Sequence, residues 1–138
     1  MVTARKKNRR GASSAAAKKS AGAGPIELWI RVTLPGLAHI GPGKAELLRQ
    51  IRECQSISGA ARAMKMSYRR AWLLVEEMNK AFRQPVVVKW LGGRSAGGAT
   101  LTPTGEKVVA IYERVVAQAE SANRALLDEL ATIAARRS

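Results

Sequence analysis

The chain has 138 residues, a length that suits one domain with extensions and excludes two full-sized domains. Its formal net charge of +14 and its pI of about 11.1 predict a polyanionic partner, with nucleic acid favoured over an anionic membrane. No run of about 18 apolar residues is present to span a bilayer, and no apolar signal core follows the basic N-terminus. We therefore expect a cytoplasmic protein without a membrane partner.

The composition argues against an enzyme and against a metal site. Cys54 is the only cysteine and His39 the only histidine. A structural zinc site requires about four such ligands, and a disulfide requires two cysteines. The acidic residues form no recognisable catalytic pair, and a Cys54 nucleophile could take its base only from His39. We expect no enzyme activity, no metal and no cofactor.

Residues 1–24 are a separate region by composition. They hold seven Lys and Arg residues and no acidic residue, interleaved with Ala, Ser and Gly. Such a segment lacks the apolar surface that would offset chain entropy, so it is predicted to be disordered. It either clamps phosphates without sequence preference or serves solubility or localisation. Subtracting its charge from +14 leaves +7, so the rest of the chain is also basic.

The segment before the central motif predicts one strand and one helix. Ile26–Leu34 is rich in β-forming residues and is predicted to be a strand that ends at Pro35 and Gly36. A turn-rich connection follows at Leu37–Gly43. The helix Lys44–Cys54 then places its apolar residues on one face: Leu47, Leu48, Ile51 and Cys54.

The stretch Gln55–Phe82 predicts two helices joined by a tight turn, a pattern typical of the helix-turn-helix. The first helix begins near Ser56–Ser58 and has small alanines on its apolar side, which let the second helix approach closely. Lys65 and Met66 form the turn, and Ser67 caps the second helix. The core-facing residues of that second helix follow the helical period: Ala71, Leu74, Val75, Met78 and Phe82.

The first turn of the second helix carries Tyr68, Arg69 and Arg70. In a helix-turn-helix this end of the second helix reaches base edges. Cations near a helix N-terminus oppose the macrodipole at a cost of up to about 1 kcal/mol, so the arginine pair favours an anionic partner. The same arginines could also form a solvated helix face. Trp72 lies one position beyond the apolar stripe and fits either packing or contact with DNA.

A wing is predicted directly after the second helix. Val86–Trp90 is a β-branched strand, and a second short strand runs through Thr100 and Leu101 after a glycine-rich loop. Arg94 and Ser95 at the tip of this loop are placed to reach phosphate or a minor groove. A nucleotide-binding loop is disfavoured, because the pattern GxxxxGK[ST] is missing and a strand follows instead of a helix.

A long helix is predicted from Thr102 and Pro103 to near the end of the sequence. Its apolar residues recur at alternating steps of four and three, the spacing of a coiled-coil seam. Those residues are Val108, Tyr112, Val115, Ala119, Ala122 and Leu126. The seam predicts a homodimer, although the same stripe could pack onto the chain's own core.

Three motifs carry a resemblance to a known family: SYRRAW from Ser67, EEMN at Glu76–Asn79, and the wing sequence LGGRSAGGATLTPTG. With these, the chain from about residue 25 to residue 135 resembles the N-terminal winged helix-turn-helix domain of ModE-type molybdate-responsive regulators, and more distantly the LysR-type DNA-binding domain. The resemblance implies operator binding as a homodimer, with the long helix at the dimer interface. In that family molybdate binds to C-terminal domains, which this chain is expected to lack, so direct molybdate binding is not expected.

These patterns predict a mainly α fold with a small β-wing. The expected domains are a basic tail at 1–24, a winged helix-turn-helix at 25–102 and a long dimerisation helix at 103–138. The predicted function is transcription regulation by a sequence-specific homodimer bound to double-stranded DNA on the nucleoid. The alternative is a nucleoid-type DNA-binding protein of low sequence specificity. The residues expected to contact DNA are Lys65, Ser67, Tyr68, Arg69, Arg70, Arg94 and Ser95.

Overall fold

The computed structural model describes residues 26–90 and 97–135 and confirms a mostly helical fold with small β elements. These residues form two compact units, one spanning Arg31–Tyr112 and the other made of 26–30 and 113–135. None of the described helices is long and apolar enough to cross a bilayer. The elements are β1 (Val32–Leu34), β2 (Ala38–Ile40), α1 (Pro42–Cys54), α2 (Ile57–Ala63), α3 (Tyr68–Ala81), β3 (Val87–Trp90), β4 (Gly98–Leu101), α4 (Pro103–Ala122) and α5 (Arg124–Ile133).

The first strands form a short hairpin, so the prediction of a single long strand over Ile26–Leu34 was wrong. Strand β1 pairs with β2 from Val32 opposite Ile40 to Leu34 opposite Ala38. Pairing can extend no further, because α1 begins at Pro42. The turn between the strands is closed by the N–H of Leu37, which donates to Leu34 O at 2.9 Å. The segment predicted as a turn-rich connection therefore contains β2.

Helix α1 is the centre of the Arg31–Tyr112 core. Leu47, Leu48 and Ile51 are fully buried, as the helical period predicted. The same pattern placed Cys54 in the core, and that prediction was wrong: the thiol is exposed, because the buried stripe of α1 ends at Ile51. Gln55 caps the helix in the left-handed conformation, with φ of 56°.

Helices α2 and α3 follow with the caps that the sequence predicted. The side chain of Ser56 accepts from Gly59 N at 2.7 Å, and that of Ser67 accepts from Arg70 N at 3.1 Å. Lys65 takes the left-handed conformation in the turn, with φ of 57°. The apolar faces of the two helices supply much of the core: Ile57, Ala60 and Ala61 from α2, and Ala71, Val75 and Met78 from α3.

The predicted strand pair after α3 is confirmed. Strands β3 and β4 are antiparallel, with Val87 opposite Leu101 and Trp90 opposite Gly98. The backbone of Gln55 anchors the pair, since its carbonyl accepts from Ala99 N at 3.1 Å. Its side chain also donates to Thr100 Oγ1 at 3.3 Å. The link between α1 and α2 thus holds β4 in place.

The start of α4 is fixed to the segment that precedes β3. Thr102 caps the helix by accepting from Gly105 N at 3.0 Å, and its hydroxyl donates to Pro85 O at 2.6 Å. The N–H of Thr102 donates to Val86 O at 3.0 Å. Gly105 passes so close to Val86 that an added Cβ would lie 2.2 Å from Val86 O. A side chain at residue 105 is therefore excluded without movement of backbone.

The long C-terminal helix was predicted as one piece, and this was wrong, because α4 ends at Ala122 and α5 begins at Arg124. Asn123 causes the break. Its side-chain amide donates to Ala119 O at 2.7 Å, the same carbonyl that accepts from its own backbone N–H at 3.1 Å. Asn side chains that compete in this way for backbone groups disfavour regular helix.

We expect Gly105→Ala to destabilise the fold by at least about 2 kcal/mol, because the new methyl group meets backbone that is held on both sides. Gly43→Ala is the matched control. Gly43 is exposed in the first turn of α1 with nothing within 4 Å of its added Cβ, so that change should be neutral or stabilising by up to about 1 kcal/mol. Urea unfolding of both variants measures the difference. Equal stability of the two variants would contradict the close approach of Gly105 to Val86.

Candidate nucleic-acid interface

The N-terminal turn of α3 presents polar and basic groups to solvent. Ser67 shapes this turn through its cap bond to Arg70 N. Tyr68, Arg69 and Arg70 are all exposed, and Lys65 is exposed in the turn before them. The structure therefore brings together five of the seven residues that the sequence assigned to DNA contact. The other two, Arg94 and Ser95, lie outside the described residues.

The carboxylates of the Arg31–Tyr112 unit are all paired with cations. Its five acidic residues are glutamates, and each forms a salt bridge within the unit. Such pairing reduces the repulsion that these side chains would exert on a polyanion. The pairs are Glu46 with Arg49 at 2.9 Å, Glu53 with Arg52 at 3.8 Å, Glu76 with Lys89 at 2.7 Å, Glu77 with Lys44 at 3.0 Å and Glu106 with Arg52 at 2.8 Å.

A contiguous group of cations has no carboxylate partner among the described residues. We call it the α2–α3 cluster; its members are Arg62, Lys65, Arg69 and Arg70, and all four are exposed. Cations without such a partner also occur at Arg31, Lys80, Arg83 and Lys107. Within 26–90 and 97–135, only the α2–α3 cluster brings four of them together over nine residues of sequence, from 62 to 70.

Sequence reasoning missed Arg62 as a site residue. It stands in the last turn of α2, directly before the turn that leads to α3. In helix-turn-helix proteins the first helix crosses the nucleic-acid backbone, so the predicted motif gave a reason to include a cation at this end of α2 among the candidates for phosphate contact. The signal was present in the sequence as a basic residue one helical turn before Lys65 and Met66.

Trp72 contacts the strand pair, as one of its two interpretations predicted, and its contact with DNA stays a prediction because the side chain is also exposed. The ammonium group of Lys89 on β3 lies 5.2 Å from the centroid of the Trp72 ring. The same ammonium group bonds to Glu76 Oε2 at 2.7 Å. One face of the indole is therefore occupied by a cation from β3, in a geometry that favours cation–π attraction.

The motif EEMN at Glu76–Asn79 has a structural explanation at each position. Glu76 reaches Lys89, and Glu77 reaches Lys44, whose side chain is only 6% exposed and whose ammonium group also donates to His39 O. Met78 is fully buried. Three hydrogen bonds then join the Asn79 side chain to Val86 and to the first residue of β3: Val86 N to Oδ1 at 2.8 Å, Val87 N to Oδ1 at 3.1 Å, and Nδ2 to Val87 O at 3.1 Å.

The residues of the predicted dimer seam have different environments in the single chain. Tyr112 is buried by its own chain. Burial raises its pKa to about 12, although the positive charge of Arg49 acts to lower the pKa. Val108 and Ala119 are half-buried, while Ala122 is exposed. Val115 and Leu126 are exposed, as are Leu130 and Ile133 further along α5.

The described residues were also searched for metal ligands. Within 26–90 and 97–135, no three His, Cys, Asp or Glu side chains come together as a group that could hold an ion.

Comparison with known proteins gives relatives that are named as transcriptional regulators or as molybdenum-pterin-binding proteins. The chain is 34% identical over 103 residues to the transcriptional regulator ModE of Haemophilus influenzae, covering 75% of this chain and 40% of that protein. It is 44% identical over 80 residues to the molybdenum-pterin-binding protein MopB of Rhodobacter capsulatus, covering 58% of this chain and 30% of that protein. The DNA-binding transcriptional dual regulator ModE of Escherichia coli K12 is 29% identical over 103 residues, covering 75% of this chain and 39% of that protein.

These matches support a link to ModE-type regulators. No family model matches the chain. The chain spans between 30% and 40% of the length of the relatives named above. Those three ModE-type relatives are named as regulators or as a molybdenum-pterin-binding protein, and none of the three is named as an enzyme.

We expect Asn79→Ala to destabilise the fold by about 2–3 kcal/mol, because the N–H groups of the buried Val86 and Val87 lose their acceptor. Lys80→Ala is the control on the neighbouring position. Lys80 is exposed and should tolerate the change within about 0.5 kcal/mol. Chemical denaturation measures both values. A cost for Asn79→Ala no larger than that for Lys80→Ala would contradict the assigned role of Asn79.

Proposed function

We propose that this chain is a DNA-binding transcriptional regulator of the ModE type that recognises a specific duplex sequence. In this proposal α2 and α3 form a helix-turn-helix, and β3 and β4 form its wing. The first turn of α3, with Arg69 and Arg70, enters the major groove. The names of the relatives support the proposal, since two of them are transcriptional regulators and one of those is named as DNA-binding.

One observation carries the proposal: the separation of charge within the Arg31–Tyr112 unit. Its glutamates are paired with Lys or Arg, while the α2–α3 cluster keeps four exposed cations without carboxylate partners among the described residues. Cations without partners at a helix N-terminus are unfavourable in the free protein. Phosphate and guanine are the groups that would satisfy them, because both accept hydrogen bonds from Arg and Lys.

We propose further that the regulator acts as a homodimer through the second half of α4 and through α5. The exposed apolar side chains there support this, because Leu126 is 63% exposed and Leu130 and Ile133 follow on the same face of α5. A twofold dimer would read two half-sites about one helical turn, roughly 34 Å, apart.

Two further parts of the proposal concern the basic segment 1–24 and the absence of a cofactor. We propose that residues 1–24, which lie outside the described residues, add phosphate contacts without sequence preference, since they carry seven cations and no acid. We also propose that the chain binds DNA without molybdate or another cofactor. Calorimetric titration of the protein with molybdate, and with its selected duplex in the presence and absence of molybdate, tests the second part.

The function is tested by selecting bound duplexes from random DNA at about 150 mM salt, followed by titration of variants on the selected site. We expect one shared motif and a loss of about 1–3 kcal/mol for Arg70→Ala, with relaxed preference at one base position. Arg83→Ala, which removes an exposed arginine beyond the other end of α3, should leave base preference unchanged.

Two results would oppose this function. Bound fragments without a shared motif would favour a nucleoid-type protein of low specificity. An equal loss of affinity for Arg70→Ala on every sequence would assign Arg70 to phosphate instead of base contact.

We expect the double substitution Val115→Glu with Leu126→Glu to separate the subunits, because it places two carboxylates in the proposed apolar interface. Both side chains are exposed in the single chain, so the fold should survive. Gln118→Glu adds charge at another exposed position of α4 and should leave the dimer intact. Sedimentation equilibrium measures the subunit mass. A dimer that persists in the double variant would place the interface elsewhere.

A further inference from the structure

Leu73 is an exposed leucine at the centre of the basic face of α3. It is 47% exposed and lies on the side of the helix away from the buried Ala71, Val75 and Met78. Burying an apolar side chain is favourable by about 25 cal/mol per Å² of apolar surface removed from water. The exposed part of Leu73 therefore contributes no such stabilisation in the free protein. A single exposed leucine is common, and its surroundings decide whether it has a function.

The surroundings of Leu73 are those of an anion-facing surface. Arg69 is one helical turn before it and Arg70 is three residues before it, so all three side chains lie on neighbouring positions of the helix surface. A shallow depression is lined by Ser67, Arg69, Arg70, Leu73, Leu74 and Glu77. Apolar and cationic groups therefore share one surface that projects from the first two turns of α3.

Two side chains next to Leu73 on α3, those of Trp72 and Glu77, already have partners within the protein. Lys89 covers one face of the Trp72 ring at 5.2 Å. The carboxylate of Glu77, which borders the depression, is held by Lys44 at 3.0 Å and so carries a paired charge. Leu73 is the exposed aliphatic side chain that this part of α3 can offer to a duplex, beside the exposed aromatic ring of Tyr68.

The major groove offers one apolar group that distinguishes a base pair, the C5-methyl of thymine. We infer that Leu73 is a specificity-determining residue that packs on a thymine methyl next to the bases or phosphates held by Arg69 and Arg70. This inference rests on the proposed function, since it requires α3 to enter the major groove. It predicts that each half-site contains a thymine whose methyl group contributes to affinity.

The test replaces thymines of the selected site one at a time by deoxyuridine, which removes only the C5-methyl. For the full-length chain we expect one position in a half-site where this change weakens binding about fourfold, the value for one apolar carbon removed from water. The variant Leu73→Ala should bind the thymine and deoxyuridine duplexes with equal Kd at that position. Fluorescence anisotropy at fixed salt measures both ratios.

Leu37→Ala is the matched control, because Leu37 is an exposed leucine in the turn between β1 and β2. It should keep the fourfold preference for thymine. Circular dichroism confirms that both variants are folded, and Leu73→Met, which retains apolar reach, should restore part of the preference.

The outcomes separate this inference from the proposed function. A deoxyuridine effect that is unchanged in Leu73→Ala assigns the methyl contact to another residue and overturns the inference. Specific binding that is insensitive to every deoxyuridine substitution also overturns it, while the proposed function stands. Binding without any selected motif would overturn both.

Discussion

The fold of the Arg31–Tyr112 unit depends on the link between the end of α3 and the start of β3, and the side chain of Asn79 fixes that link. Its amide group both accepts from and donates to the backbone of Val86 and Val87, so the last turns of α3 are joined to the start of β3. Val86 is also the point where α4 begins to pack, because its carbonyl accepts from Thr102 N and leaves no room for a side chain at Gly105. One buried backbone segment thus positions α3, the strand pair and α4 together. Unpaired N–H groups at such a place would cost about 1–3 kcal/mol each.

This arrangement has a consequence for charge. The packing of α3 uses its two glutamates to hold neighbouring elements, Glu76 through Lys89 of β3 and Glu77 through the buried Lys44 of α1. The glutamates in the middle of α3 are thereby paired. Among the described residues, four cations without a carboxylate partner are grouped at the N-terminal end of α3 and in α2, while Lys80 is a single such cation in the last turn of α3. The same contacts that fix α3 in the fold give one end of it a positive surface, and a polyanion is the partner that such a surface attracts. The link to ModE-type regulators agrees with this physical interpretation.

The sequence predicted the features of the fold that depend on residues close together in the chain. The caps at Ser56 and Ser67, the buried face of α3 and the strand pair after Pro85 all follow from residues within one or two turns. The strand β2 was not predicted because Ala38–Ile40 is short and lies between Gly36 and Gly41, and its pairing depends on the turn at Pro35. The break at Asn123 arises from a side chain that competes for a single carbonyl, a weak signal within an otherwise apolar helical repeat. The partners of the glutamates could not be read from sequence, because Lys44 and Glu77 are 33 residues apart. The sequence predicted the residues of the candidate interface, whose contact with DNA stays a prediction, but it did not predict how the surrounding glutamates are paired.

The central claim is that the face formed by the α2–α3 cluster and the first turns of α3 binds duplex DNA. Nuclear magnetic resonance measures this most directly, by following the backbone amides and the arginine side chains of the full-length chain as its selected duplex is added. The account predicts the largest shifts from Arg62 to Leu73, with little change in the buried part of α1 around Leu48. Shifts confined to residues 1–24, with α3 unchanged at saturation, would contradict it.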